Sequence, residues 1–458
     1  MRQHSVRWAR ILGATAAGLA LSVGASEAQE APRDPFAAIK HVALAGGGRV
    51  WVGFGGQARV RYEQWDGFNF AAKPDSADGG VGLLRLRLSA DLHVGGSVRV
   101  FAEGKSAIVP DRPLAGGRRT NDMDQLDVQQ LWAGVTLPAV AGTAPTVRLG
   151  RQDVGLGRER LVGEGDWANT RRTFEGFTVR ASRGGWALTG LLVQPVAVKK
   201  VRLNRRDTTA TLYGAYLSNP RVTPTLSLDL YWLGLNRKSV TFNCWSLPNA
   251  CTRGVEQRQT VGARLAGRLP GAPVDIEIEA AQQFGTVGAN DIRAWMGTVV
   301  LGWTIPRLPL SPRVYAQVDY ASGDRRQGGG TGTFFQLYPS AHGFLGYADV
   351  LGRANIVDVV GGASARFGTG TLSVDAHRFF RASLADGMYG TAGQVVRQPG
   401  AGLARHLGDE IDVLFRYPHS TNVVWLAGFS HFFPGQFVEQ TGAATATSVL
   451  YTSLQFTL

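Results

Sequence analysis

The sequence predicts an all-β protein, a transmembrane antiparallel β-barrel of about eighteen strands with short periplasmic turns and long extracellular loops. Three observations lead to this prediction. The chain begins with a secretory signal, its candidate strands alternate apolar and polar residues, and the connections between them alternate between short and long. Together they favour a chain that is exported and crosses a membrane with strands rather than helices.

Residues 1–28 have the three parts of a secretory signal peptide. Basic residues come first, an apolar segment runs from 11 to 23, and small residues precede a cleavage site after Ala28. After this segment no run approaches eighteen apolar residues, so helical membrane spans are excluded. We expect residues 29–50 to form a short periplasmic lead, too small for a plug domain, and residues 51–458 to form the barrel.

The mature chain is strongly basic. The full sequence has a net charge of +13, and loss of the signal, which carries three arginines and one glutamate, lowers the net charge to +11. Such a charge suits lipopolysaccharide phosphates, nucleic acid or an acidic polysaccharide. The charge alone does not choose among these partners.

Few residues suggest chemistry other than transport. Cys244 and Cys251 lie close together in an exported chain, which predicts a local disulfide. The histidines show no metal-ligand spacing, no serine lies in a Gly-x-Ser-x-Gly elbow, and no carboxylate pair has a context that suggests hydrolysis. We therefore expect no metal, no cofactor and no enzymatic activity.

Alternation with a period of two is clearest in residues 84–92. Four leucines and an alanine occupy the even positions, and Arg85, Arg87, Ser89 and Asp91 occupy the odd positions. This pattern suits either a soluble core or a lipid-facing wall around a polar lumen. Turn length distinguishes the two, because a soluble sandwich has no reason to keep one rhythm of connections over many strands.

Eighteen segments are candidate strands. They are 51–63, 83–93, 97–106, 125–137, 146–152, 174–182, 185–194, 209–217, 225–235, 257–269, 273–284, 292–305, 310–321, 355–367, 370–381, 407–417, 421–432 and 446–458. Short connections such as 94–96 and 270–272 alternate with long ones such as 107–124 and 153–173. This order places both termini on the side of the short turns, and the even number lets the sheet close so that lipid meets no open edge.

Two further features favour lipid on the apolar face. Trp295 and Trp303 lie eight residues apart on one face of a strand, a spacing that suits the two aromatic girdles of a membrane barrel. The chain also ends on a strand with Leu454 and Leu458 on one face. It resembles the C-terminal strand that the barrel-assembly machinery recognises.

The polar face of the candidate strands carries two sets of charges. The basic set is Arg59, Arg61, Arg85, Arg87 and Arg99, joined by Arg148 and Arg180, and the acidic set is Asp275, Glu277, Glu279 and Asp319. The two sets would lie on roughly opposite walls of the barrel. They predict either a transverse field across a water-filled pore or a lumen that the charges merely solvate.

The connection 153–173 is too long, too charged and too rich in glycine to be a tight turn. Its charges exceed what a free surface loop needs, and its glycines allow close packing against a wall. We therefore expect it to fold into the lumen.

Three stretches carry a resemblance to a known family. Residues 150–176, GRQDVGLGRERLVGEGDWANTRRTFEG, resemble the signature of the alginate-export family of outer-membrane β-barrels. Residues 320–356, with YASGDRRQ followed by TFFQLYPSAHGFLGYADVLGRANI, and LGDEIDV at 407–413 are similar to later signatures of that family. The three stretches follow one another in the family's order.

The resemblance implies an arginine-rich constriction that attracts uronate carboxylates, which guanidinium groups bind bidentately. The positions expected there are Arg85, Arg87, Arg151 and Arg264. The implied function is passive, selective passage of an anionic polysaccharide in alginate-like polyuronate export. An anion-selective porin for small acidic solutes is the alternative, and an outer-membrane enzyme or a surface adhesin is a third class.

The expected partners follow from the predicted fold and the implied function. They are the acidic polysaccharide or solute, outer-membrane lipid and lipopolysaccharide, the barrel-assembly machinery and periplasmic export partners, with no nucleic acid. A barrel that is charged inside and continuously apolar outside can stand alone, so we expect a monomer.

Overall fold

A computed structural model of the 458-residue chain describes residues 34–140, 142–242, 252–326 and 331–458. The chain divides into two units, Met1–Ala38 and Ile39–Leu458, and the second unit holds a β-barrel. The predicted signal peptide, 1–28, and the predicted disulfide between Cys244 and Cys251 lie outside the described residues.

Eighteen antiparallel strands form one closed sheet. They are β1 Val50–Asp66, β2 Gly79–Val94, β3 Val98–Ile108, β4 Asp124–Thr136, β5 Thr146–Gln152, β6 Phe174–Arg183, β7 Trp186–Ala197, β8 Ala210–Asn219, β9 Leu226–Phe242, β10 Thr252–Arg268, β11 Val274–Val287, β12 Asn290–Thr304, β13 Arg313–Ala321, β14 Ile356–Phe367, β15 Gly370–Phe380, β16 His406–Pro418, β17 Val423–Pro434 and β18 Thr447–Thr457. Each strand pairs with the next, and β18 pairs with β1. The predicted eighteen-stranded barrel is confirmed, strand for strand.

The two ends of the barrel differ in their connections. At one end, here the turn end, short connections such as 368–369 join the strands, and β1 starts and β18 finishes there. The opposite end, here the loop end, carries the long connections. Two of them are the β5–β6 loop, 153–173, and the β13–β14 loop, 322–355. This is the alternation that the sequence predicts.

Charged side chains point into the barrel and apolar ones point outward. On β2, Leu84 and Leu88 are 43% and 60% exposed, whereas Arg85 and Arg87 are 0% and 8% exposed. A soluble barrel would show the opposite pattern. An outer surface this apolar requires lipid or another apolar partner.

The aromatic residues of β12 follow the same pattern. Trp295 and Trp303 are 49% and 50% exposed on the outer face, and Met296 is buried on the inner face. The prediction that both tryptophans point outward is confirmed.

A few short elements accompany the barrel strands. Val42–Ala45 pairs with the start of β1, Met388–Tyr389 pairs with Val395–Arg397 in a loop-end hairpin, and Gln436–Gln440 forms a helical turn. In the described part of the chain, no helix has the length and apolar character needed to cross a membrane.

An arginine placed in the outward apolar band should destabilise the barrel. Val299 lies in the middle of β12 and is 50% exposed on the outer face. Val299→Arg would therefore put a charge into hydrocarbon, at about 2 to 4 kcal/mol. We expect that loss in urea unfolding of protein refolded into phospholipid vesicles. Leu308→Arg, equally exposed in the turn between β12 and β13, should cost less than about 1 kcal/mol. Equal costs at both positions would contradict a lipid-facing band.

Candidate functional site

The β5–β6 loop and the β13–β14 loop meet inside the barrel. The backbone N–H of Gly163 donates to the carbonyl of Tyr338 at 2.8 Å, and the rings of Trp167 and His342 stack with centroids 3.7 Å apart. The two loops contain two of the three stretches that carry the family resemblance. Together they occupy the middle of the lumen.

The β5–β6 loop is bound to the basic wall formed by β1 and β2. Arg59 and Arg85 donate to the carbonyl of Asp166 at 2.8 and 2.9 Å, and Arg85 also donates to the Asp166 carboxylate at 3.0 Å. Arg61 donates to the carbonyl of Trp167 at 2.6 Å. The prediction that this loop folds into the lumen is confirmed.

The same loop is bound to the acidic wall on the other side. Arg160 donates to Glu279 at 2.9 Å and also to Glu277. Arg264, from β10, donates to Glu277 and Asp229, each at 3.0 Å. The loop therefore presents an acid to the basic wall and a base to the acidic wall. The two walls do not face each other across open water, as the sequence suggested, because the loop lies between them.

Other predicted lumen residues are paired with neighbouring side chains. The pairs are Arg87 with Glu103, Arg99 with Asp91, Asp275 with Arg313 and Asp319 with Arg353. Each pair is close to neutral as a unit. These residues line or support the lumen but add little net charge to it.

Arg151 faces away from the lumen. In the sheet register it lies opposite Leu131, which is 54% exposed, and on the same strand face as Leu149, which is 66% exposed. Its guanidinium binds Asp127 at 2.9 Å and Glu175 at 2.7 Å. The prediction of a lumenal Arg151 is therefore wrong. That prediction placed Arg148 and Arg151 on the same face of β5. In a regular strand, residues three positions apart point to opposite faces.

Several cations lie on the inner face of the barrel near the turn end, among them Arg148, Arg180 and Arg416. Arg148 and Arg180 lie on the inner faces of β5 and β6, and Arg416 lies on the inner face of β16. The Arg148 guanidinium lies 4.4 Å from the ring centroid of Trp132. Among the described residues, none of the three pairs with a carboxylate. Sequence reasoning missed Arg416, although it shares the face of Glu410 in the period-two pattern of β16.

Two cavities flank the inward loops. The larger, of about 1150 Å³, extends from the loop end toward the turn end and is lined by residues including Arg61, Trp167, His342, Arg416 and Gln455. The smaller, of about 720 Å³, opens among β6 to β10 and is lined by residues including Gly157, Arg180, Tyr216, Asp229 and Arg264. Both have guanidinium groups in their walls.

Trp167 lies in the wall of the larger cavity and is held there by neighbouring side chains. The Arg61 guanidinium lies 3.9 Å from its ring centroid, and Tyr451 of β18 meets it edge-on at 5.0 Å. His342, which stacks on Trp167, is held in turn by Asp349 at 2.9 Å. This cluster joins both loops to the wall where the barrel closes.

The β13–β14 loop is held by polar groups of the barrel wall. Glu410 on β16 accepts from the backbone N–H of Ala348 at 2.8 Å. Gln283 on β11 accepts from the backbone N–H of Phe335 at 3.0 Å. These contacts fix the loop on two separated parts of the wall, so it spans the lumen rather than hanging from its own strands.

Nearer the loop end, Asp386 joins two loops. Its carboxylate accepts from the backbone N–H of Asp324 at 2.7 Å, from Thr333 at 2.6 Å and from Tyr389 at 2.8 Å. Burial, reinforced by the charge of Asp386, raises the pKa of Asp324 to about 6. Over the described ranges, no group of three or more His, Cys, Asp or Glu side chains is arranged to hold a metal ion.

Several solved structures from Pseudomonas aeruginosa share this fold. OccK8 (OprE) has a TM-score of 0.57 at 12% identity, over 89% of this chain and 98% of its own. The outer membrane protein OpdK has a TM-score of 0.57 at 12% identity, over 88% and 98%. The outer membrane protein OprD has a TM-score of 0.55 at 12% identity, over 89% and 93%. At such identities the similarity concerns the fold alone.

A model of one protein family, described as alginate export, matches residues 50–452. Among curated proteins no relative matches the sequence. The match covers the whole barrel except its last residues. It places the protein in the bacterial outer membrane, with the turn end toward the periplasm and the loop end toward the outside.

Removing the centre of the β5–β6 loop should widen the pore. Deletion of 156–166 takes away Arg160 and Asp166, the groups that bind the two walls. We expect a severalfold rise in single-channel conductance in planar bilayers. Deletion of 400–402, a turn in a loop-end connection, is the matched control and should leave conductance unchanged. Equal conductance in both variants would mean that the β5–β6 loop does not restrict the passage.

The packing of the loop-end connections should weaken as pH rises. The pKa of Asp324 is raised from 3.8 to about 6, so its contribution to stability is fully present below about pH 4 and is lost as pH rises through 6. Hydrogen exchange of the 331–336 amides, corrected for intrinsic rates, should show less protection at pH 8 than at pH 5. Asp324→Asn should flatten this dependence, whereas Asp291→Asn, at an exposed acid of β12, should not. An unchanged slope in Asp324→Asn would contradict the assignment.

Proposed function

Because the chain belongs to the alginate-export family, we propose that it is a passive, selective channel for an anionic polysaccharide of the alginate-like polyuronate kind. The observation that carries this proposal is the distribution of lumenal cations. The deeper arginines hold the β5–β6 loop, whereas Arg148, Arg180 and Arg416 lie on the inner face near the turn end and, among the described residues, pair with no carboxylate. A polyanion arriving from the periplasm meets these arginines before it reaches the β5–β6 loop.

The geometry of the entrance suits a chain of carboxylates. Arg148 lies opposite Thr178 and Arg180 lies opposite Thr146, so the two arginines are diagonal neighbours on adjacent strands. Diagonal positions are about 7 to 8 Å apart. A polyuronate carries one carboxylate on each sugar, so one segment could engage both guanidinium groups. Each contact must stay weak, because a translocated polymer has to leave.

Passage of a polymer requires the β5–β6 loop to move. The loop occupies the lumen between Arg85 on one side and Glu277 and Glu279 on the other. A polyanion competes with Asp166 for the basic wall, because both present carboxylates to the same arginines. On this proposal the substrate itself loosens one side of the loop.

The alternative is an anion-selective porin for small acidic solutes. The observation in its favour is the limited space beside the loops, about 1150 Å³ in the larger cavity. A small carboxylate would fit there without displacing the β5–β6 loop. Block by oligouronates of increasing length separates the two functions, since only a polymer channel should bind longer chains more tightly.

The proposal also includes three predictions from the sequence that concern the processing and covalent structure of the chain. We propose that the signal peptide is cleaved after Ala28, that residues 29–50 precede the barrel as a short lead, and that Cys244 and Cys251 form a disulfide at the cell surface. The partners are then the acidic polymer, outer-membrane lipid and the barrel-assembly machinery. The family and fold are those of a channel rather than an enzyme.

Charge reversal at the entrance should remove anion preference. Arg148→Glu with Arg180→Glu places two acids where two free cations face the lumen. We expect the reversal potential in a salt gradient to move to a neutral or cation-selective value, and oligouronate block to weaken by about tenfold or more. Block of the unmodified channel should also weaken at higher salt, since exposed charges are screened within about 8 to 10 Å at 0.1 to 0.15 M.

The matched control is Arg221→Glu with Arg307→Glu. Both residues are exposed in turn-end connections outside the lumen, so the net charge changes equally. Selectivity should stay as in the unmodified protein. If both double variants shift selectivity alike, the entrance arginines have no special role. If neither does, the filter lies elsewhere.

A further inference from the structure

The connection between β7 and β8 carries a strongly basic segment. Residues 199–206, KKVRLNRR, hold five Lys or Arg residues, and we name this segment the basic strap. The two apolar residues between the cations, Val201 and Leu203, are 64% and 67% exposed. Alternating cations and exposed apolar side chains are typical of segments at a membrane surface.

The basic strap closes a gap in the barrel wall. β5 and β6 are short at the loop end, because the β5–β6 loop turns inward between them. The strap crosses above their ends. Its Arg206 pairs with Val196 on β7, and its Lys200 carbonyl accepts from the backbone N–H of Gln125 on β4 at 2.7 Å. The strap is therefore part of the outer wall rather than a free loop.

The strap is anchored through Asn204, and among its cations the Lys200 ammonium donates to the carbonyl of Arg118 at 3.0 Å. The Asn204 amide donates to Asp124 at 2.6 Å, its backbone N–H donates to Asp127 at 3.2 Å, and its carbonyl accepts from Arg151 at 3.1 Å. Asn204 is buried, whereas every cation of the strap is exposed. Within the described residues, Lys199, Arg202, Arg205 and Arg206 pair with no carboxylate.

The exposed cations lie outside the larger lumenal cavity. The larger lumenal cavity is lined by 196–198 but by no residue of the strap. The outer surface beneath the strap is apolar, with Leu126 69%, Leu131 54% and Leu149 66% exposed. The basic strap thus borders the apolar band at its loop end, because its Lys200 carbonyl binds Gln125, which is next to Leu126.

We propose that the basic strap binds the phosphates of lipid A in the outer leaflet. Guanidinium groups bind phosphate oxygens bidentately, and several lie within one short segment that the barrel holds in place. Val201 and Leu203 contact the first carbons of the acyl chains. Charge complementarity selects phosphorylated lipid, because the outward apolar band alone would accept any acyl chain.

Native mass spectrometry of the detergent-purified full chain, titrated with diphosphoryl lipid A, tests this site. Arg202→Gln with Arg206→Gln removes two exposed strap cations and leaves the Asn204 anchor intact. Each cation near an anionic surface contributes about fivefold in binding, so we expect affinity to fall on the order of 25-fold. Dephosphorylated lipid A should bind the unmodified protein at least as weakly as the variant binds lipid A, because three strap cations remain in the variant. Heat modifiability and single-channel conductance should not change, since the strap lies outside the lumen.

The matched control is Arg293→Gln with Arg378→Gln. These two arginines also point outward near the loop end, but each already has an aspartate partner, Asp291 at 3.7 Å and Asp409 at 3.3 Å. They should contribute little to lipid A binding. Equal losses in both double variants would overturn the proposal. So would unchanged binding in the strap variant, or tighter binding of the strap to oligouronate than to lipid A.

Discussion

The closing seam between β18 and β1 is the constraint on which the rest of the protein depends. Ten residue pairs, from Gln57 with Thr457 to Asp66 with Ser448, join the last strand to the first. Without this seam two strand edges would present unpaired backbone groups to hydrocarbon, at several kcal/mol for each group. Once the sheet is closed, its outer face is free to be apolar. Its inner face can then hold arginines and carboxylates that a soluble core could not accommodate.

The second organising feature is the β5–β6 loop, which supplies charged partners to both the basic wall and the acidic wall. Asp166 meets Arg85 on one side, and Arg160 meets Glu277 and Glu279 on the other. Removing the carboxylates would leave the buried Arg85 and Arg160 guanidinium groups without compensation, which is more costly than losing the contact itself. The loop is therefore held by electrostatics at both ends and by glycine-rich backbone between them. Under the proposed function, a mobile polyanion would compete with Asp166 for Arg85 and so loosen one of the two sides.

The sequence was sufficient for the barrel and only partly sufficient for the site. Period-two patterning located every strand, because lipid on one face and water on the other enforce alternation along all of them. The inward position of 153–173 followed from its excess of charge. The partner of Arg85 could not be predicted from the sequence. Asp166 lies far along the chain, and only the folded loop brings it close to Arg85. Arg151 was misplaced because β5 is short and its parity is set by pairing with β4.

The closed seam also constrains the order in which the chain can assemble. Gln57 pairs with Thr457, so this hydrogen-bonded contact joins the two ends of the barrel in sequence. Loop closure over such a separation is entropically unfavourable and comes after the local hairpins. The hydrogen bonds of the β5–β6 loop with Arg59 on β1 and Arg85 on β2 involve no residue of β18. The charged loop can settle on these strands while the sheet is still an open, curved surface. In that order of assembly, the charged β5–β6 loop does not have to pass through a closed pore. β18 then pairs with β1 after the loop is already bound to the wall.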